Sequence, residues 1–136
     1  MSALSTDKEQ AFKERHYARV PMAAVKIWKG GMVKINAAGF AAPCAAEAGA
    51  VFLGIALETT DNSAGNAGDL YILLETQADI IFEQQTGFVA ADAGSKVYAS
   101  TDADISVSQA SNEQQVGWIV EFISATSVRV RLSNGL

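Results

Sequence analysis

One histidine and one cysteine limit the chemistry open to this chain. A hydroxyl or thiol nucleophile needs a neighbouring base, most often a His oriented by a carboxylate. His16 lies in a polar, basic stretch away from the apolar runs, where an exposed or interfacial ring beside Tyr17 is expected. Cys44 stands in Ala-Ala-Pro-Cys-Ala-Ala, with nothing near it in sequence to lower a thiol pKa. It reads as a small buried or interfacial filler, and a lone cysteine excludes an intrachain disulfide. One His and one Cys leave almost no room for zinc. Oxygen ligands are offered by Asp102 and Asp104, and by Asp61, Asn62 and Asp69 around a Gly-rich loop. Neither set follows the twelve-residue calcium-loop pattern, and Asp and Asn are ordinary turn residues. No glycine-rich phosphate loop is present. The expectation is a chain that is not an enzyme, with no catalytic residue, no metal site and no cofactor.

The remaining residues of interest are those that bind surfaces. Trp28 and Trp118 sit among apolar strand residues and read as core or interface anchors. Arg15, His16, Tyr17 and Arg19 follow Lys13 in a basic and aromatic mixture, a pattern also used on nucleic acids. Charge opposes that use. The net charge is −5, and it is unevenly placed. Residues 1–34 hold seven of the ten basic residues and three acids; residues 35–136 hold three basic residues and twelve acids. A basic arm on an acidic body excludes general affinity for phosphate backbones. The arm either docks on an acidic surface or remains a solvated terminus.

The elements that hold these residues belong to a chain of 136 residues, a one-domain length. Apolar residues make up 49%, but 24 of them are Ala, so the core is thin and partners are expected to add stability. The first 20 residues carry too many charges for a signal peptide. The Ala- and Gly-rich stretch from Ile35 to Leu57 is too weakly apolar, and interrupted by Pro43, to span a membrane.

Thr6-Asp7-Lys8-Glu9 fits a capping box, predicting a short helix to about Arg15. Pro21 then favours extended backbone before it. The expected division is a basic arm over residues 1–21 and one β domain over 22–136. Within the body, strands are predicted at 23–28, 32–35, 51–57, 69–75, 79–83, 96–99, 105–107, 115–123 and 127–132, with a short one inside the Asn36–Ala50 loop and another at Phe88–Val89. Val128, Val130 and Leu132 alternate with Arg129 and Arg131, the mark of a half-buried strand. Gly54 inside an apolar run predicts a bulge or a close backbone approach. The fold class is all-β: a small β-sandwich or a β-barrel-like, tulip-like domain with an extended arm. Val51–Glu75 and Val116–Leu132 echo each other, with Gly54 matched by Gly117. Two related hairpins across one core would give this echo, and so would the general likeness of β-hairpins.

Five runs occur in a telling order: Gly68-Asp69-Leu70-Tyr71-Ile72, Thr86-Gly87-Phe88, Gly94-Ser95-Lys96-Val97-Tyr98-Ala99, Val116-Gly117-Trp118-Ile119-Val120 and Val128-Arg129-Val130-Arg131-Leu132. Upstream, Trp28-Lys29-Gly30-Gly31-Met32-Val33 and Phe52-Leu53-Gly54-Ile55-Ala56 extend the series. Together they resemble the phage capsid cement, or head-decoration, proteins, over about residues 22–132. The resemblance implies a structural protein of the virion, made in the host cytoplasm and carried on the capsid exterior. Its implied partners are the major capsid protein and further copies of itself, as a homotrimer, with no nucleic acid and no membrane. On this reading Arg15, His16, Tyr17, Arg19, Trp28, Trp118 and Phe122 face the capsid or a sister subunit. The alternative is a β-module of a phage tail, baseplate or fibre.

Overall fold

The computed structural model describes residues 17–135; the expected capping box and helix of the arm lie outside them. The chain is all-β, as its sequence pattern predicts. Twelve strands follow in order: β1 (Tyr17–Pro21), β2 (Lys26–Ile27), β3 (Met32–Ile35), β4 (Ala41–Pro43), β5 (Val51–Ala56), β6 (Thr60–Asp61), β7 (Tyr71–Glu75), β8 (Asp79–Phe82), β9 (Lys96–Ala99), β10 (Ile105–Ser106), β11 (Gln115–Ser124) and β12 (Ser127–Leu132). Two predicted strands differ. The 23–28 run pairs only at Lys26–Ile27. Phe88–Val89 is not a strand but leads into a single 3-10 turn, Ala90–Asp92, whose Asp92 carboxylate accepts the Val89 N–H at 2.9 Å.

The strands form two five-stranded sheets and one ribbon. The first sheet is ordered β1-β7-β5-β3-β4, the second β10-β9-β11-β12-β8, and β2 pairs β6. The boundary expected at residue 21 moves as a result. Tyr17–Pro21 is a strand of the body, paired antiparallel with Tyr71–Glu75, because Val20 can turn inward while Tyr17 and Arg19 face out.

Both sheets are built by the same path. Taken in chain order, the five strands of each lie side by side as first, fifth, fourth, second, third. Registers agree as well. Val33 faces Gly54 and Val97 faces Gly117. Ala56 faces Leu74, and Ile119 faces Val130. The hairpins β3–β4 and β9–β10 close on the pairs Ile35–Ala41 and Ala99–Ile105. Each sheet skips one residue at the same place: Lys34 faces Phe52, passing over Leu53, and Tyr98 faces Gln115, passing over Val116. Gly30 N–H donates to Ala56 O at 2.8 Å, and Gly94 N–H donates to Ile119 O at 2.7 Å. The Gly54–Gly117 echo is therefore one part of a repeat that runs through the described residues, with residues 17–75 as the first unit and 79–132 as the second.

Glycine is required at the matched bulge. A Cβ on Gly54 would collide with the Glu75 carbonyl, and one on Gly117 with the carbonyl of Arg131, its counterpart. The units differ in how they close. In the first, the chain after β1 bends until Met22 bridges Ala41, and Ala23 N–H donates to Ala41 O at 2.9 Å. In the second, a side chain spans the gap: Gln85 Oε1 accepts the Ile105 N–H and Gln85 Nε2 donates to Ala103 O, both at 2.9 Å.

Apolar packing joins the units into one domain. Met22, Ile27, Val33, Ala41, Ala56, Ile72 and Leu74 fill the inner face of the first unit, under the β2–β6 ribbon. Met32, Phe52 and Ile55 project from its opposite face into the core of the second unit, against Val97, Val116, Ile119, Val128 and Val130. Contact is heterologous: the outer face of one unit covers the inner face of the next. The seam is pinned by polar groups. Buried Lys34 meets Glu47 at 2.7 Å, and both Lys34 Nζ and Gln114 Nε2 donate to Ala45 O.

Candidate functional site: an aromatic and charged exterior

Residues with catalytic potential are tied into structure. Cys44 is buried, and desolvation pushes its thiol up to about 12, against the counter-pull of Lys34 and with a small addition from Asp102. At neutral pH it is a protonated filler rather than a nucleophile. His16 lies outside the described residues, as does Arg15. The oxygen-rich loop spends its oxygens on itself. Asp61 accepts the Ser63 N–H at 2.9 Å, and the Ser63 hydroxyl too, which holds its carboxyl below the usual range with help from Lys26. Asn62 is buried and donates to the carbonyls of Ala23 and Asn66. Asp69 accepts the Asn66 N–H at 2.9 Å. The second acidic pair lies in a turn, where Thr101 Oγ1 accepts the N–H groups of Ala103 and Asp104. Among the described residues no group of three or more His, Cys, Asp or Glu is placed to hold a metal ion.

A cleft of about 620 Å³ opens at the seam of the sheets, between Phe52 and Leu53 on one side and Arg131 to Asn134 on the other. Its ionisable side chains, Asp79 and Arg131, are hydrogen-bonded to each other at 2.8 and 3.1 Å. That pairing keeps the Asp79 carboxyl below its ordinary range and raises the Arg131 guanidinium. Neither group is poised as an acid or base.

Exposed aromatics are the stronger feature. Trp28 follows β2, where burial of Ile27 turns both Lys26 and Trp28 outward. It is 57% exposed, and Lys26 Nζ stands 3.8 Å from its ring centroid. The turn that presents it uses Gly30 at φ +84°, and Gly31 N–H donates to Trp28 O at 3.0 Å. Trp118 lies on the outer face of the second sheet, 37% exposed, with the Arg131 guanidinium 5.5 Å from its ring. On the first sheet Tyr17 and Tyr71 are 50% and 53% exposed, with Arg19 on the same face of β1 as Tyr17.

Among the described residues, the predicted interface positions thus do not form one constellation. Tyr17 and Arg19 are on β1, Trp28 is on a turn before β3, and Trp118 is on β11. Phe122 is different: it pairs with Val128 and packs partly buried against the core. Lys26, Tyr71, Asp79, Lys96 and Arg131 were not singled out from sequence. A usable signal existed for Arg131, since the alternation of β12 puts it outside; the others depend on cross-strand register. No described helix is long and apolar enough to cross a membrane. Compared with protein-family models, curated proteins and solved structures, the chain has no match.

Proposed function

We propose that this chain is a structural cement protein of a phage head, bound to the capsid exterior and clamping adjacent major capsid subunits. The observation that carries the reading is the set of exposed aromatics, Tyr17, Trp28, Tyr71 and Trp118, each standing on a β framework rather than on a long loop. Large, stiff aromatic side chains beside cations are the residues that dominate protein interfaces. Two of them have a Lys or Arg against the ring, which suits an acidic partner surface. Many copies, as homotrimers or singly, give avidity from modest contacts. Bound subunits in turn stabilise a small Ala-rich domain by mass action.

Cosedimentation with heads lacking the protein tests this, with expanded and unexpanded shells compared. Saturable binding to expanded shells, near one copy per major capsid subunit, is the expected result. Absence of binding to either shell, with recovery in isolated tails, would move the protein to a tail or baseplate module. The arm is tested separately by removing residues 1–16. A cut at residue 20 would also take most of β1 and so disturb the body.

A further inference from the structure

The repeat exposes one face whose counterpart is covered. Across the first unit, Met32 and Ile55 are cross-strand neighbours on the outer face, and both are buried against the second unit. Their positions in the second unit are taken by Lys96 and Trp118, again cross-strand neighbours. The same row continues through Arg131 to Asp79. The next row runs from Glu121 through Arg129 to Ile81, which is exposed. Arg129 Nε lies 3.6 Å from Glu121 Oε1, an ion pair without a hydrogen bond.

Charge marks this face as special. Lys96, Arg129 and Arg131 are all the basic residues of the stretch 35–136, and register places all three here. Asp79 and Glu121 stand beside them, each paired with one of the arginines. A Trp-centred face that gathers every cation of an otherwise acidic stretch, with Lys96 outside both ion pairs, suits an acidic protein surface with a shallow apolar spot for the indole. We propose that the outer face of the second sheet, centred on Trp118, is the surface that lies against the major capsid subunit, in the position that the second unit occupies on the first. This rests on the head-cement reading.

The test uses the full chain, heads lacking it, and two variants, Trp118→Ala and Lys96→Glu, the second at an exposed position that leaves packing untouched. The wild type is expected to bind heads and to weaken as salt is raised, since salt screens exposed charge. Each variant is expected to lose affinity by about tenfold or more while keeping the wild-type circular dichroism. Wild-type binding matched by both variants would overturn this face and leave the cement reading standing. No wild-type binding would overturn both. Sedimentation velocity of the free proteins closes the remaining route: a wild-type oligomer that both variants reduce to monomer would put a second copy on this face and overturn the capsid assignment.

Discussion

At the scale of single residues, the matched glycines are the most exacting positions. Gly54 and Gly117 each lie where a neighbouring carbonyl leaves no space for a Cβ. Gly117→Ala must part β11 from β12 or bend both, and overpacking of this kind costs about 1–3 kcal/mol. Gly54→Ala should behave alike, and urea midpoints of the two variants measure it. An unchanged midpoint for either would mean that the strands yield without cost. Lys34 and Glu47 give a pH dependence. Lys34, with the Ala37 N–H adding to it, depresses the Glu47 carboxyl in the folded chain. A depressed carboxyl contributes stability that is present above its unfolded pKa and lost as pH falls through the folded one. The urea midpoint of the wild type should therefore drop on acidification through the carboxylate range, and Glu47→Gln should flatten part of that drop. Parallel curves for the two proteins would remove the pair from the account.

At the scale of elements, the two units depend on each other unequally. The first unit fills its own inner face and is closed by a backbone bridge at Met22. The second unit completes its core only with Met32, Phe52 and Ile55 from the first. Phe52→Ala removes the largest of these three, and aromatic truncation in a core costs about 3–5 kcal/mol. Amide exchange should show the loss falling on β11 and β12 more than on β3 and β7, apart from any global change. Equal deprotection of all four strands would argue that the units share stability evenly.

For the whole molecule, a second cluster built from residues of both sheets couples the units and predicts one cooperative transition. Trp28 reports the first unit and Trp118 the second. Trp28→Phe and Trp118→Phe each leave a single tryptophan, and their fluorescence midpoints in urea should each coincide with that variant's own circular dichroism midpoint. Separated fluorescence and circular dichroism midpoints would show that one unit survives the other. The same coupling bears on function: a partner that holds the outer face of the second sheet also steadies the first, because Met32, Phe52 and Ile55 of the first sheet are part of the second sheet's core.

The all-β class was legible in sequence because side chains alternate every two residues along a strand. Runs such as Val128 to Leu132 carry that alternation whatever they pair with. The glycines were legible too, since an apolar run seldom tolerates one without a backbone reason. Strand partners were not. Val33 meets Gly54, and Val97 meets Gly117, through contacts between distant parts of the chain that local composition does not encode. Without register the repeat shrinks to a faint echo, because Met32, Ile55 and Glu75 have become Lys96, Trp118 and Arg131 in the second unit, and little side-chain likeness remains. Phe122 shows the same limit, since register, shifted in β11 just before it, pairs it with Val128 and packs it partly buried against the core. Sequence alone determined which residues prefer strands and where charge accumulates along the chain. Tertiary structure alone decided that Lys96 and Trp118 join Arg129 and Arg131 on one face, because hydrogen-bonded pairing sets which side chains become neighbours.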